Sequence, residues 1–149
     1  MIDTLVAPRI LLVEAPYYTE IAEPLAAGAM RVLTAVDARV ERVSVHGAFE
    51  IPAAIGLARS AFDGFIALGC VIRGETHHFN IVADQSAAAL MRLAVEDKIA
   101  LGNGILTVED RAQAVVRADP DGKDYGGAAA KACLQMIALK RRFLTGGAE

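Results

Sequence analysis

Apolar residues recur along the first half of the chain in two patterns, one typical of buried strands and the other of amphipathic helices. Residues 10–13 (Ile-Leu-Leu-Val) form a continuous apolar run and predict a fully buried strand. Over residues 19–36 apolar side chains recur at helical spacing, which predicts a helix. Valines alternate with charged residues and serine over residues 40–45, which predicts a second strand. Proline is favoured in a first helical turn, so Pro52 indicates a helix over residues 51–61.

The second half of the chain continues the alternation of strand and helix. Residues 65–72 give the strongest strand pattern, apolar on both faces, as in a parallel sheet that is covered by helices. Further elements are predicted in chain order: a long helix over 77–96, a short strand over 104–107, a short helix over 110–117 and a long helix over 126–142.

The order βαβαβαβα predicts an α/β fold. We expect a single domain over residues 1–149, with residues 1–8 forming a flexible N-terminal arm. Alternating strands and helices with right-handed crossovers give a three-layer, flavodoxin-like sandwich. Its centre is a four-stranded parallel sheet with helices on both faces.

Composition favours an assembly and excludes some partners. Hydrophobic residues make up 54% of the chain, many of them alanines, which is high for a small monomer. The surplus favours a homo-oligomer, in which part of the surface contacts another subunit. The formal net charge is −3 with acidic and basic residues interspersed, so we do not expect a nucleic-acid partner.

Cysteine usage and hydropathy bear on the compartment. Cys70 and Cys133 each lie in an apolar stretch, far apart in sequence, so buried free thiols are expected. No apolar run reaches the roughly 18 residues that span a membrane. Residues 1–9 lack the apolar core of a secretory signal. We therefore expect a cytoplasmic protein with no membrane partner.

Four loops that follow the predicted strands carry the candidate chemistry. In parallel sheets ligands bind beyond the carboxyl ends of the strands. The loops should therefore line one edge of the sheet; they comprise residues 16–18, 46–50, 73–78 and 107–110.

Residues 73–78 (Arg-Gly-Glu-Thr-His-His) form the most informative of these loops. Gly74 lets the backbone turn closely, and the helix behind it offers unpaired amides and a positive dipole end, which together suit a phosphate. Thr76 either donates its hydroxyl to that phosphate or caps the helix. The loop by itself supports a phosphate site and a simple capped helix start equally.

The histidines suit proton transfer better than metal binding. A neutral imidazole can move protons near neutral pH. His77 and His78 leave a helix about 100° apart, so we expect one of them to face the pocket. His46 is the only other histidine and no cysteine pair assists, so a metal site is not expected.

Two further side chains, Glu50 and Arg117, each have two interpretations. Phe49 beside Glu50 can hold a planar ring and accept hydrogen bonds from hydroxyls, with Tyr17 as a second stacking face. Alternatively, Glu50 only caps the next helix. Arg117 is either a solvated surface arginine or a phosphate clamp that a neighbouring subunit presents. The residues alone thus support a sheet-edge site for a small phosphate-bearing ligand, whose identity they leave open.

Two motifs resemble the lumazine synthase family. They are Gly-Ala-Phe-Glu-Ile-Pro at 47–52 and Leu-Gly-Cys-Val-Ile-Arg-Gly-Glu-Thr-His-His-Phe at 68–79, and the likeness extends over about 9–143. The resemblance implies a transferase of riboflavin biosynthesis that needs no cofactor or metal. Such an enzyme condenses 5-amino-6-(D-ribitylamino)uracil with 3,4-dihydroxy-2-butanone 4-phosphate to 6,7-dimethyl-8-ribityllumazine, releasing phosphate and water.

The resemblance also implies roles for individual residues. Contacts to the ribitylaminouracil are implied for Tyr17, Ala48, Phe49, Glu50, Cys70, Val71 and Ile72. Contacts to the phosphate of the sugar substrate are implied for Gly74, Glu75, Thr76 and, from the adjacent subunit, Arg117. His78 is implied as the proton-transfer residue. A site shared in this way implies a pentamer or a multiple of pentamers.

Two positions depart from the family pattern. Asn103 stands where the family usually has an aromatic residue of the neighbour that covers the ring, so it is the candidate contact there. Tyr125 replaces a usual lysine, and Lys123 lies two residues earlier. The departures leave open a flavin- or lumazine-binding or cage-forming member with little activity. A generic sugar-phosphate isomerase or lyase is a third alternative.

Overall fold

A four-stranded parallel sheet forms the centre of the part of the chain described by the computed structural model, residues 6–144. Residues 1–5 of the expected N-terminal arm lie outside the described residues. The strands are β1 (Arg9–Glu14), β2 (Arg39–Ser44), β3 (Gly64–Ile72) and β4 (Leu101–Val108). Their order in the sheet is β2-β1-β3-β4.

Helices cover both faces of the sheet, as the alternating pattern predicted. On one face lie α1 (Thr19–Ala35), α4 (Arg111–Ala118) and α5 (Tyr125–Leu144). On the other lie α2 (Ile51–Ala58), preceded by a 3₁₀ turn (Ala48–Glu50), and α3 (His78–Glu96). The flavodoxin-like three-layer fold expected from the sequence is confirmed.

Alternate side chains of β1 divide the core into two halves. Leu12 packs on the side of α1 and α5, whereas Leu11 packs on the side of α2 and α3. Both side chains are almost fully buried, since successive residues of a strand point to opposite faces. A strand covered on both faces has to be apolar throughout, which explains the continuous run at residues 10–13.

The strand order predicts that a ligand binds at the carboxyl ends of the two central strands, β1 and β3. From β1 the chain crosses to β2 on one side and later to β3 on the other, so the connections diverge beyond the ends of β1 and β3. A crevice opens at such a switch point in α/β sheets, and ligands bind there.

Two predicted boundaries were wrong by three residues each. The fourth strand begins at Leu101, not at residue 104, because Gly102 and Asn103 extend it despite their low strand propensity. A side chain at Gly102 would overlap the carbonyl oxygen of Ala129 in α5, so close packing of helix on strand requires glycine there. The second helix is three residues shorter than predicted and ends at Ala58.

Candidate active site

A cavity of about 540 Å³ opens at the carboxyl ends of β1 and β3. It is lined by many of the residues singled out from the sequence: Tyr17, Ala48, Phe49, Glu50, Cys70, Val71, Ile72, Gly74, Thr76 and His78. Three of the four predicted loops therefore meet around one space. The fourth loop, residues 107–110, supplies no lining residue and instead joins the third through an ion pair between Arg73 and Glu109.

Two aromatic rings stand exposed at the cavity. Tyr17 is 72% exposed and Phe49 is 53% exposed. Tyr18 supports Tyr17 in an edge-to-face contact, with ring centres 4.8 Å apart and planes at 90°. Exposed rings beside a concave surface offer apolar area that a planar ligand can cover, so this end of the cavity suits a flat heterocycle.

Glu50 ends the 3₁₀ turn that leads into α2. Its backbone N–H donates to the Gly47 carbonyl over 3.0 Å, which fixes the turn. Its side chain makes no capping hydrogen bond to α2, so helix capping does not explain this carboxylate. Its oxygens can accept hydrogen bonds from hydroxyls of a ligand in the cavity.

The loop between β3 and α3 presents backbone to the same cavity. A Cβ at Gly74 would have no atom within 4 Å, so this position is open space. The Thr76 hydroxyl accepts a long hydrogen bond of 3.4 Å from the His78 N–H, a weak cap that leaves its own proton available to a ligand. The first amides of α3 and its positive dipole end lie behind this loop, as an anion site requires.

The sequence predicted no individual role for several residues that line the cavity, namely Ala15, Tyr18, His46, Gly47, Phe79, Ile81 and Val82. Ile81 and Val82 follow His78 by three and four residues on α3, so they share its face. That helical spacing could have identified them. His46 and Gly47 belong to a loop already chosen, but nothing in their own pattern pointed to the cavity.

Cys70 lines the cavity as a neutral thiol. It is half-buried, and burial raises its pKa to about 11. Because the thiolate is the nucleophilic form, Cys70 contributes a polarisable wall and not a nucleophile. Cys133 is also a free thiol and is fully buried, as expected for both cysteines; Cys70 is less buried than predicted.

Three predicted contacts do not line the cavity among residues 6–144: Glu75, Asn103 and Arg117. Asn103 is exposed on β4, and its Oδ1 accepts from the Ile105 N–H over 2.9 Å. Arg117 lies in the last turn of α4. The cavity of one protomer thus does not bring Asn103 and Arg117 to the other predicted residues.

No three His, Cys, Asp or Glu side chains in the described part of the chain lie close enough together to hold a metal ion. No helix between residues 6 and 144 has the length and apolar character needed to cross a membrane.

Comparison with known proteins identifies the family. The family model described as 6,7-dimethyl-8-ribityllumazine synthase matches residues 7–141. A protein of that name from Bartonella tribocorum is 52% identical over 139 residues, covering 91% of this chain and 92% of the relative. The namesake from Methylobacterium radiotolerans is 55% identical over 139 residues, covering 92% of this chain and 85% of the relative. The 6,7-dimethyl-8-ribityllumazine synthase 1 of Rhizobium meliloti is 52% identical over 148 residues, covering 95% of each chain.

These matches span the cavity-forming loops and nearly the whole described fold, so the relationship extends well beyond the two short motifs that first indicated it. The chain belongs to the 6,7-dimethyl-8-ribityllumazine synthase family.

Proposed function

We propose that this protein condenses 5-amino-6-(D-ribitylamino)uracil with 3,4-dihydroxy-2-butanone 4-phosphate to 6,7-dimethyl-8-ribityllumazine, with release of phosphate and water. The observation that carries the proposal is one continuous cavity with exposed aromatic rings at one side and the open backbone of Gly74 at another. Such a cavity can hold a planar heterocycle and a phosphate ester together. Family membership supports this reaction over the two alternatives, which no observation favours.

The uracil is proposed to bind against the aromatic side of the cavity. Tyr17 stacks on the ring, and Phe49 with buried Ala48 shapes the turn along which the ribityl chain lies. Glu50 accepts hydrogen bonds from the ribityl hydroxyls. The last residues of β3, Cys70, Val71 and Ile72, form the wall behind the pyrimidine.

The phosphate of the second substrate is proposed to bind the loop before α3. Gly74, Glu75 and Thr76 contribute backbone amides, so the Glu75 side chain need not enter the cavity. The α3 helix is 19 residues long, and its N-terminal dipole favours an anion at this end. Bound here, the phosphate holds the four-carbon chain beside the ring amine.

The protein accelerates the reaction chiefly by holding the two reactants together, since orientation can replace much of the entropy of a bimolecular encounter. The 5-amino group of the uracil attacks the ketone carbonyl, and a first water leaves to form an imine. Phosphate is then eliminated, and the ribitylamino nitrogen attacks the carbonyl that results and closes the ring with loss of a second water. Each of these steps moves protons. His78 is proposed as the group that transfers them, and its place in the lining of the cavity supports that role.

A homo-oligomer, a pentamer or a multiple of pentamers, is proposed to complete the site. Asn103 and Arg117 lie away from the cavity of their own protomer, as residues that serve a neighbour must. Arg117 would clamp the phosphate, and Asn103 would cover the ring, of the adjacent subunit. Leu57 of α2 is 92% exposed, which supports burial of that surface against another copy.

Catalysis is tested by mixing the purified protein with both substrates and following the lumazine chromophore. The proposal expects formation faster than the uncatalysed background. A rate equal to background from a correctly assembled oligomer contradicts it, and tight riboflavin binding without turnover would favour the binding-only alternative.

The shared site is tested by the mass of the native particle measured beside its activity. The proposal expects activity only in assemblies of five subunits or a multiple of five. A folded single protomer with full activity contradicts the shared site.

A further inference from the structure

Arg73 closes the two ends of the phosphate loop against each other. It follows the last residue of β3, and its guanidinium carbon lies 4.5 Å from the centre of the Phe79 ring in the first turn of α3. Residues 74–78 therefore form an arch whose two ends are in contact. The stacked cation and ring hold the width of that arch.

Glu109 ties the same arginine to the neighbouring strand. Arg73 Nε donates to Glu109 Oε1 over 2.9 Å, and the Arg73 N–H donates to the Val108 carbonyl over 2.9 Å. The side chain and backbone of Arg73 are thus both held by residues at the end of β4.

The start of α4 in turn fixes Glu109. The Glu109 N–H donates to the Gln113 side-chain oxygen over 2.8 Å, and the Gln113 N–H donates to the Asp110 carboxylate over 2.9 Å. The Asp110 carboxylate caps α4, and the Gln113 side chain also holds the Glu109 N–H, so the Glu109 carboxylate extends from a hydrogen-bonded segment. Arg73 is therefore anchored between two ordered elements, the first turn of α3 and the start of α4.

We infer that Arg73 is a positioning residue of the active site, which sets the path of the phosphate loop without touching the phosphate. The inference rests on the proposed function, because it takes the loop to bind the phosphate of the sugar substrate. Arg73 is absent from the cavity lining among the described residues, and its Nε is engaged by a carboxylate. Both facts distinguish it from a direct phosphate ligand.

The exposure of the Arg73–Glu109 ion pair indicates whether the pair affects folding stability or substrate binding. The side chains of Arg73 and Glu109 are 45% and 59% exposed, and ion pairs in such water-accessible places add little to folding stability. A loop that holds a reactant is more sensitive, since a displacement of about 1 Å can cost on the order of 100-fold in rate. Loss of the pair should therefore change phosphate binding and leave the unfolding temperature nearly unchanged.

The test compares Arg73→Ala and Glu109→Ala by steady-state kinetics. Each should raise the KM for the butanone phosphate on the order of tenfold and leave the KM for the uracil unchanged. Arg73→Lys keeps the charge but not the planar fork and stack, so it should recover only part of the loss. If Arg73 bound the phosphate directly, removing Glu109 would free its guanidinium and lower the KM. A lowered KM in Glu109→Ala overturns the inference.

Calorimetric titration with inorganic phosphate gives a second readout that does not depend on turnover. Both single variants should bind phosphate more weakly, and the double variant should lose no more than the worse single one, because the two residues act as one unit. Additive losses, or unchanged affinity in the single variants, overturn the inference. The matched control is Arg31→Ala, which removes an arginine paired with Asp121 at 3.7 Å, outside the cavity lining.

The two proposals fail in different ways. A wild-type protein that makes no lumazine refutes the proposed function, and the titration with phosphate then decides the role of Arg73 alone. An active wild type, with both variants keeping its KM values, refutes only the role of Arg73.

Discussion

The guanidinium carbon of Arg117 lies 6.0 Å from the centre of the Tyr125 ring. Arg117 Nη1 also donates to the Gln113 carbonyl over 3.1 Å. The two contacts direct the side chain along the end of α4 toward the start of α5. Tyr125 thus places an aromatic ring beside Arg117, and the ring attracts the guanidinium.

Arg117→Ala should raise the KM for the butanone phosphate far more than the KM for the uracil. A guanidinium fits a phosphate in a two-pronged hydrogen-bonded pair, and a hydrogen bond to a charged group is worth about 1.5–3 kcal/mol, or roughly 10- to 100-fold. Steady-state kinetics with each substrate varied in turn measures both constants. An equal rise in the two would contradict the clamp.

Tyr125→Ala should raise the same constant by a smaller factor, since a cation–ring contact in an exposed place is worth about 0.5–1 kcal/mol. Tyr125→Phe is the matched control, because it keeps the ring and removes only the hydroxyl. Kinetics identical for Tyr125→Ala and the wild type would show that the ring does not orient Arg117.

His78→Ala should slow turnover only modestly, by no more than about 100-fold, because water can partly replace a single proton-transfer group. The measurement is kcat at saturating concentrations of both substrates. His77→Ala is the matched control, since His77 does not line the cavity among the described residues and should leave kcat unchanged. Complete loss of activity in an intact His78→Ala oligomer would mean that the role of this imidazole is larger than proposed.

An alanine substitution should affect folding stability at Gly102 and substrate binding at Gly74. Gly102→Ala forces a methyl group into the Ala129 carbonyl of α5 and should cost about 3 kcal/mol or more of stability. Gly74→Ala meets no atom within 4 Å, so it should leave stability unchanged and raise the KM for the phosphate substrate. Urea unfolding at equal protein concentration measures the first effect and steady-state kinetics the second. Equal unfolding midpoints for the two variants would contradict the packing argument.

The fold could be predicted from the sequence where buried elements carry a recognisable pattern of apolar residues. The strand β3 is apolar on both faces because helices cover both, and its predicted bounds are within one residue of those observed. The first half of β4 has no strand-like pattern of apolar residues. It contains Gly102, which close packing against α5 requires although glycine has a low strand propensity.

The candidate site, too, could be predicted from the sequence only in part. Strand topology alone brought three of the four predicted loops together around the cavity. The contact between Arg73 and Glu109 could not be predicted from the sequence. The two residues are 36 positions apart, and they meet because the strand register pairs Ile72 with Val108. Asn103 and Arg117 are proposed to reach the substrate of a second copy of the chain, and no periodicity within one copy encodes such a contact.

The buried thiol of Cys133 should make the free energy of unfolding fall in alkaline solution. Burial raises its pKa from the ordinary 9.0 to about 12, so the folded protein keeps a proton that the unfolded chain loses above pH 9. The stability that comes from the neutral thiol is fully present below pH 9 and declines as the pH rises toward 12. The decline reaches up to about 1.4 kcal/mol per pH unit.

Cys133→Ala removes this titration, so its free energy of unfolding should fall less steeply with pH than that of the wild type. Urea unfolding from pH 8 to pH 11 measures both slopes. The variant also loses packing, since Cys133 Sγ fills the space beside Gly64, and that loss of about 1 kcal/mol should be the same at every pH. The comparison therefore uses slopes and not absolute values. Parallel curves for the two proteins would show that the thiol does not stay protonated in the folded state above pH 9, and would remove burial as the cause of the alkaline loss.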